Sequence, residues 1–270
     1  MRISISNLAW DISEDVEVLS LLKEFNIDAI DIAPGKYFPD PAKATATEIK
    51  AVKTWWQEQG IEIIGMQSLL FGTVGLNVFG SDEVQNQLLK HLRHISRIGS
   101  ELGATRLVFG SPKNRDCSGL SAEETKNKYY SFFTRLGDIA AEHGVIICLE
   151  PNPVLYGANF MTTSSETYHV VKEIAHPCIK MQLDTGAIII NHENVVDIVA
   201  QAKNVLGHIH ISEGQLAAIG DTYAGHAAFA DVLNTQLNGY PATIEMLATK
   251  DESHLTSIRR ALSYVTSVYR

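Results

Sequence analysis

Four residues that can bind a divalent metal follow, or end, four short apolar runs in the second half of the chain. Each run is rich in β-branched residues, as in a strand that is buried on both faces of a parallel sheet. The four residues are Glu150, Asp184, His210 and Glu245. Three carboxylates and one imidazole form a mostly oxygen donor set, which suits Mn²⁺, Mg²⁺ or Co²⁺, with Zn²⁺ also compatible. The pattern predicts one divalent metal ion, provided the fold brings the four strand ends together.

The four residues are more informative together than singly. A single acid at the end of a strand is more often held by a hydrogen bond or a salt bridge than by a metal. Several buried carboxylates that lie side by side repel one another unless a cation stands between them. We therefore expect a cation if the four residues meet.

Other polar residues lie close to these four in sequence and are candidates for substrate binding. His208 and Gln182 each lie two positions before a candidate ligand, so in a barrel their side chains point inward. Asn152 could reach ligand oxygens, and Glu213 could orient an imidazole. Packing or a loop hydrogen bond explains each of them about equally well.

The loops after the earlier apolar runs add further candidates for substrate binding. Gln67 follows the third run and could donate a hydrogen bond to a hydroxyl group. Lys113 and Arg115 follow the fourth run and could meet a phosphate or carboxylate on the substrate, although a solvated basic turn is an equal alternative. Three aromatic residues near the first three runs could wall the pocket: Trp10, Tyr37 and Phe71.

Strand and helix signals alternate along the whole chain and position these candidates. Ser121 and Glu124 form a capping-box pattern at one helix start, and Gly144 is typical of that helix's end. Thr47 is expected to precede the second helix, and Asn191 or Glu193 to begin the sixth. The eight predicted strands span residues 2–7, 28–32, 61–66, 105–109, 145–149, 179–183, 205–209 and 242–244.

Eight strand–helix units without a linker predict one (β/α)8 TIM-barrel domain over residues 1–270. In such a barrel the C-terminal ends of the strands form the active face, which would gather the four candidate ligands. A doubly wound open sheet is the alternative. Against it, no GxGxxG motif follows the first strand, and the chain contains no phosphate-binding P-loop.

Composition narrows the range of partners. The net charge of −9 disfavours nucleic acid, and no apolar run reaches the roughly 20 residues of a membrane helix. The N-terminal residues lack the apolar core of a signal peptide, and the three cysteines have no metal-finger spacing. We therefore expect a cytoplasmic protein with a small-molecule substrate, and a homodimer or homotetramer would be compatible with the sequence.

Four motifs at the predicted strand ends resemble the xylose isomerase-like TIM-barrel superfamily. They are LEPNP (149–153), QLDTG (182–186), HIHISE (208–213) and TIEM (243–246). The likeness covers the whole chain and is strongest to the sugar-phosphate isomerase/epimerase branch, with ketose 3-epimerases, hydroxypyruvate isomerase and inosose dehydratase. It implies a metal held by the four residues above. It also implies that Glu150 and Glu245 exchange a proton with the substrate from opposite sides through an enediolate.

The chain departs from that branch at positions that would contact the substrate. Ala187 stands where epimerase relatives have a histidine, and Gly214, Gln215 and Leu216 follow His210 in place of an arginine. A second acid expected after Glu150 is replaced around Tyr156. We therefore expect the metal core to be kept and the substrate to differ.

The sequence thus predicts a metal-dependent isomerase or epimerase of a small sugar, polyol or sugar acid, phosphorylated or not. An inosose dehydratase-like lyase is an alternative that shares the proton abstraction. A non-catalytic sugar-binding barrel is a second alternative, since a fold alone does not establish activity. An endonuclease IV-like phosphodiesterase is a third, and the acidic net charge disfavours it.

Overall fold

Eight parallel strands form a closed barrel in the computed structural model, which describes residues 1–270. Each strand pairs with the next one in sequence, and the eighth pairs with the first. The strands are β1 (Arg2–Ser6), β2 (Ala29–Ile32), β3 (Glu62–Met66), β4 (Arg106–Phe109), β5 (Ile146–Leu149), β6 (Ile179–Asp184), β7 (Leu206–Ile211) and β8 (Pro241–Ile244). The predicted (β/α)8 barrel is confirmed. The open sheet is wrong, because the first and last strands are hydrogen-bonded neighbours.

Helices connect the strands and form the outer layer of the barrel. They are α1 (Asp15–Glu24), α2 (Pro34–Tyr37), α3 (Ala46–Glu58), α4 (Asp82–Leu102), α5 (Ala122–His143), α6 (Ser164–Ile174), α7 (Thr185–Ile190), α8 (Val195–Ala202), α9 (His226–Gln236) and α10 (His254–Tyr269). None of them combines the length and the apolar character that a membrane span requires.

Helix caps follow the local sequence closely. Ser121 and Glu124 form the predicted capping box of α5, and Gly144 ends that helix with a φ of 66°. The start of α3 lies earlier than predicted. Thr45 is its N-cap and forms a capping box with Glu48, so these two residues satisfy the free backbone N–H groups there.

The segment after β6 differs from the prediction. The helix expected to begin at Asn191 or Glu193 is α8, which begins one residue after its N-cap Asn194. An additional short helix, α7, follows β6 directly, and the carboxylate of Asp184 caps it by accepting a hydrogen bond from the backbone N–H of Ala187 at 2.6 Å. The apolar run in α7 is equally typical of a strand, which explains why periodicity alone did not identify this helix.

A layer of buried polar side chains crosses the barrel interior beside His210. The hydroxyl of Thr243 lies 2.6 Å from that of Ser4 and 3.2 Å from Nε2 of His208. Nε2 of His208 also lies 2.6 Å from Oδ2 of Asp31. Gly65 provides the space for this carboxylate, because a Cβ atom there would lie 2.6 Å from Oδ1 of Asp31. Since these groups are fully buried, they must find their partners inside the barrel.

Candidate metal centre

The four strand-end residues singled out in the sequence meet at the C-terminal face of the barrel. One ligand atom from each of Glu150, Asp184, His210 and Glu245 lies within 4.8 Å of the others. Nδ1 of His210 lies 3.1 Å from Oε2 of Glu245 and 3.4 Å from Oε1 of Glu150. His210 belongs to β7 itself rather than to the loop after it, because the strand extends to Ile211.

Burial and mutual repulsion control the charges of this cluster. Burial raises the pKa of Asp184 to about 7, and the nearby Glu150 and Glu245 carboxylates add to the shift. Burial also raises the pKa of Glu150, although the nearby imidazole of His210 opposes the shift. Burial disfavours the imidazolium form of His210, yet the carboxylates of Glu245, Asp31 and Glu150 raise its pKa well above the usual value. A divalent cation among the acids would remove most of this repulsion.

The donor set also contains a ligand oxygen that no hydrogen bond satisfies and that a cation could bind. Oε1 of Glu150 is buried and has no hydrogen-bond partner. Asp184 is held in place, since its Oδ2 accepts a hydrogen bond from the hydroxyl of Ser212 at 2.6 Å. Gly110 leaves room for Glu150, because a Cβ atom at this position would overlap Oε2. An unpartnered carboxylate oxygen beside two further acids and an imidazole suits a hard divalent cation.

Asp31 is a functional candidate that the sequence did not single out. Its Oδ2 atom lies 2.6 Å from Nε2 of His208 and 3.7 Å from Nε2 of His210. Burial alone would raise its pKa, but the two imidazoles hold the pKa of Asp31 well below its usual range. Burial lowers the pKa of His208. A signal was present in the sequence, because Asp31 interrupts an otherwise apolar strand.

His208 and Gln182 do not reach the cavity, contrary to the prediction that they bind substrate. Both are fully buried inside the barrel. His208 pairs with Asp31, as described above. In the orientation that satisfies both of its polar atoms, the amide of Gln182 donates to O of His208 at 3.3 Å and accepts from N of His210 at 3.1 Å. Neither side chain lines the cavity, and their contacts hold β7 from inside the barrel.

Arg115 does not form a cationic rim, because it is fully buried and does not line the cavity. Its Nη1 atom donates to the backbone oxygen of Glu150 at 2.7 Å, and burial lowers its pKa to about 10. The guanidinium therefore supports the backbone that carries Glu150. Its neighbour Lys113 is exposed and lines the cavity.

Glu213 was expected to orient an imidazole or bind substrate, but its carboxylate turns into the loop that follows it. It accepts hydrogen bonds from the backbone N–H groups of Gly220 at 2.5 Å and Thr222 at 2.7 Å. It also lies 3.0 Å from Nε2 of His226, which starts α9. The imidazole that it orients is therefore His226, not His210.

Besides Glu213, whose carboxylate faces its own loop, three of the predicted substrate-binding residues line the cavity above the cluster: Gln67, Lys113 and Asn152. Nδ2 of Asn152 lies 3.4 Å from Oε2 of Glu150, and Nε2 of Gln67 donates to the hydroxyl of Ser6 at 2.6 Å. Oε1 of Gln67 is buried and unpartnered, so it can accept a further hydrogen bond. These contacts leave their substrate-binding role a prediction.

Of the three aromatic residues proposed as a wall, only Phe71 lines the cavity. Nε1 of Trp10 donates to Asp15 at 2.8 Å, and the hydroxyl of Tyr37 donates to the same carboxylate at 2.8 Å. Tyr156 is an additional wall residue, and its hydroxyl oxygen accepts from the backbone N–H of Gln215 at 2.7 Å. This last contact joins two loops across the mouth.

Comparisons with known proteins agree with the architecture and with the resemblance seen in the motifs. Among solved structures, D-psicose 3-epimerase from Clostridium cellulolyticum H10, determined with D-tagatose, is similar over 100% of both chains, with a TM-score of 0.81 and 16% identity. The 3-keto-D-glucoside 4-epimerase from E. coli is similar over 99% of both chains, with a TM-score of 0.80 and 19% identity. At these identities the likeness shows the fold alone.

The D-allulose 3-epimerase from Methylomonas sp. is another similar structure, with a TM-score of 0.77 and 20% identity over 100% of this chain and 97% of that one. A search of curated proteins gave no match. The sequence profile of the xylose isomerase-like TIM barrel matches residues 19–267, which is most of the chain. The protein therefore belongs to the xylose isomerase-like TIM-barrel family.

Proposed function

We propose that the protein is a metal-dependent isomerase or epimerase of a small carbohydrate. The observation that carries this proposal is the pair of glutamates at the cavity floor. Glu150 and Glu245 come from different strands, and both lie within 3.4 Å of Nδ1 of His210. The fold is shared with sugar epimerases, so a proton-exchange reaction at a sugar carbon agrees with both the fold and the side chains.

The proposed ligands of the cation are Glu150, Asp184, His210 and Glu245. A divalent cation supplies Lewis-acid stabilisation of negative charge on a substrate oxygen. The protein holds this donor set in place from behind. Ser212 and the N–H group of Ala187 fix both oxygens of Asp184.

The two glutamates would perform the proton transfer. Glu150 would remove the proton from carbon, because one of its oxygens, Oε1, can face the cation while the other, Oε2, accepts the proton. Glu245 follows a different strand, β8, and its Oε2 lies 3.1 Å from Nδ1 of His210; its carboxylate would return a proton after the first has left. Asn152, at 3.4 Å from Oε2 of Glu150, would keep that carboxylate aimed at the cavity.

Solvent deuterium exchange tests this function without knowledge of the product. We expect protein loaded with Mn²⁺ to wash deuterium into at least one member of a panel of ketoses, sugar acids and their phosphates. Glu150→Gln and Glu245→Gln should each lower the exchange rate by about 10²–10⁴-fold, the usual contribution of a general acid or base. Mass spectrometry or NMR of the recovered sugar measures the exchange.

Glu142→Gln is the matched control, because Glu142 is a surface residue that pairs only with Arg93. Exchange that persists in both glutamate variants would contradict the two-carboxylate mechanism. If no sugar in the panel takes up deuterium, a sugar-binding barrel without activity is favoured. Product analysis of an active sugar separates epimerisation from water elimination, the alternative lyase chemistry.

A further inference from the structure

The cavity above the glutamates is larger than a free monosaccharide needs. Its volume is about 1140 Å³. Pockets that enclose a drug-sized ligand have volumes of roughly 300–1,000 Å³, so this cavity has room for a sugar and a further group. Its floor is polar, with Glu150, Asp184, Glu245 and Asn152, whereas its outer part is formed by loops.

The outer part of the cavity carries an unusual share of the exposed apolar surface. Ten large hydrophobic side chains are exposed in the whole molecule, and four of them line this one cavity: Phe71, Val74, Tyr156 and Leu247. Phe71 is 86% exposed and Val74 is 91% exposed. Exposed apolar side chains that gather around one cavity in a soluble protein commonly mark a binding site. We call these four residues the apolar rim.

The loop that presents Phe71 and Val74 is held in a defined shape. The buried side chain of Asn114 donates to the hydroxyl of Thr73 at 3.3 Å and to the backbone oxygen of Leu76 at 2.8 Å. On the other side, Nε2 of His91 lies 2.8 Å from the backbone oxygen of Leu69. The loop is therefore pinned at both ends from the protein side. Its two large apolar side chains nevertheless extend into solvent at the cavity mouth.

The cavity offers an anionic substituent only one basic side chain. Three of the acids that line it belong to the metal cluster, where a divalent cation would offset their charge, and the only lysine or arginine in the lining is Lys113. A phosphate in the outer part would meet one exposed lysine, because Arg115 is buried away from the cavity. An uncharged apolar group would instead lie against the apolar rim without electrostatic cost.

We infer that the substrate is an uncharged sugar that carries an apolar substituent, alkyl or aryl, packed against the apolar rim. This inference rests on the proposed function for the sugar part, which lies at the glutamates. The substituent removes Phe71, Val74 and Leu247 from water, and this burial supplies the added affinity. A glycoside has no free carbonyl at its anomeric carbon, so a reacting glycoside needs its carbonyl elsewhere on the ring. Simple glycosides therefore serve as binding probes.

Calorimetric titration of the Mg²⁺-loaded protein with matched glycosides tests the inference. The probes are the methyl and phenyl glycosides of glucose, galactose and xylose, together with the free sugars and their phosphate monoesters. For at least one sugar we expect the phenyl glycoside to bind about tenfold or more tightly than the methyl glycoside. This ratio should fall towards one in Phe71→Ser and in Val74→Ser.

Two surface variants on the outer helices are the matched controls. Tyr130→Ser and Val16→Ser remove exposed apolar side chains from α5 and α1, remote from the cavity lining, and should leave the ratio unchanged. Three outcomes would overturn the inference. The ratio could be near one for every sugar, it could stay unchanged in the rim variants, or no phenyl glycoside could bind. Phosphate monoesters that bind more tightly than phenyl glycosides and lose this advantage in Lys113→Gln would overturn it as well.

Different results would contradict the inference and the proposed function. The affinity ratio needs no turnover, so a high ratio in a protein that exchanges no deuterium keeps the substituent site and rejects the isomerase activity. Deuterium exchange with free ketoses, combined with a ratio of one, keeps the activity and rejects the substituent site.

Discussion

At the scale of single residues, Asp31 and His208 show how the barrel interior supports the proposed metal ligand His210. Nε2 of His210 lies 3.7 Å from Oδ2 of Asp31, on the opposite side of the ring from the nitrogen that faces the glutamates. Buried carboxylates behind a metal-binding imidazole fix its orientation and raise its basicity. At 3.7 Å this contact is an ion pair rather than a hydrogen bond, and we propose that Asp31 acts through it as a positioning residue for the imidazole.

We predict that Asp31→Asn weakens metal binding without unfolding the barrel. Loss of such a carboxylate typically costs 10–100-fold in metal affinity, because the imidazole loses its fixed orientation and part of its basicity. Calorimetric titration with Mn²⁺ measures the change, and circular dichroism checks the fold. Asp28→Asn is the control, since Asp28 precedes the same strand but lies at the surface and pairs with Arg2. Equal affinity in both variants would show that Asp31 does not position His210.

The sequence predicted the contact partners of individual polar loop residues least well. Arg115 and Glu213 resemble rim residues in the chain, yet their partners are the backbone of Glu150 and the loop at Gly220 and Thr222. These partners are set by how the loops fold over the barrel, and no local pattern encodes them. The four candidate ligands were easier to identify, because each follows or ends a buried strand whose position in the barrel is fixed.

At the scale of elements, the strands and most caps were predictable because their signals are local. A buried strand is a short apolar run, and a capping box is a pair of residues three positions apart. The short helix α7 is the exception: Asp184 ends β6 and also caps this helix, so no loop separates the two elements. Periodicity could not separate its apolar run from a strand.

The end of β4 shows a second constraint between elements. Gly110 follows this strand and lies so close to the end of β5 that a Cβ atom would overlap Oε2 of Glu150. The distance between the two strands is fixed by their backbone hydrogen bonds, which pair Phe109 with Leu149. The carboxylate would have to move, since the backbone cannot.

We predict that Gly110→Ala lowers the deuterium-exchange rate far more than it lowers stability. A displacement of about 1 Å in a catalytic group can cost roughly 10²-fold in rate. The overlap itself should cost about 1–3 kcal/mol in the free energy of unfolding. Exchange kinetics and urea denaturation measure the two effects. Gly35→Ala is the control, because nothing lies within 4 Å of its Cβ position. An unchanged exchange rate in Gly110→Ala would place the reacting carboxylate elsewhere.

At the scale of the whole molecule, the two halves of the barrel have different tasks. β5 to β8 provide the four proposed ligands, whereas the loops after β3 and β4 provide much of the cavity wall. Because the ring closes through the β1–β8 pair, Asp31 on β2 can reach His208 on β7 through the barrel interior. This contact makes the buried polar layer continuous. The stability of the closed barrel must therefore depend on the charge state of its centre.

We predict that metal-free protein loses stability as the pH rises and that a divalent metal restores it. Burial raises the pKa of Asp184 to about 7, and the pKa of Glu150 is also raised. A carboxyl group with a raised pKa favours folding where it is protonated. Its contribution is fully present below the unfolded value of about 4 and is lost as the pH rises towards 7. The imidazolium of His210, with its raised pKa, adds a loss in the same direction above about pH 6.5.

Thermal unfolding at pH 5, 6, 7 and 8 measures this effect, with each sample prepared once with a chelator and once with Mg²⁺. The melting temperature of the chelated protein should fall across this range by roughly 2–4 °C for each kcal/mol of lost stability. With Mg²⁺ present the fall should be smaller, because the cation compensates the carboxylate charges that appear as the pH rises. The stabilisation by Mg²⁺ should therefore increase with pH. In Asp184→Asn, which removes one of the crowded charges, the chelated protein should lose less stability between pH 5 and pH 8. A pH profile that is identical in the parent protein and this variant would mean that the crowded carboxylates do not control the stability of the barrel.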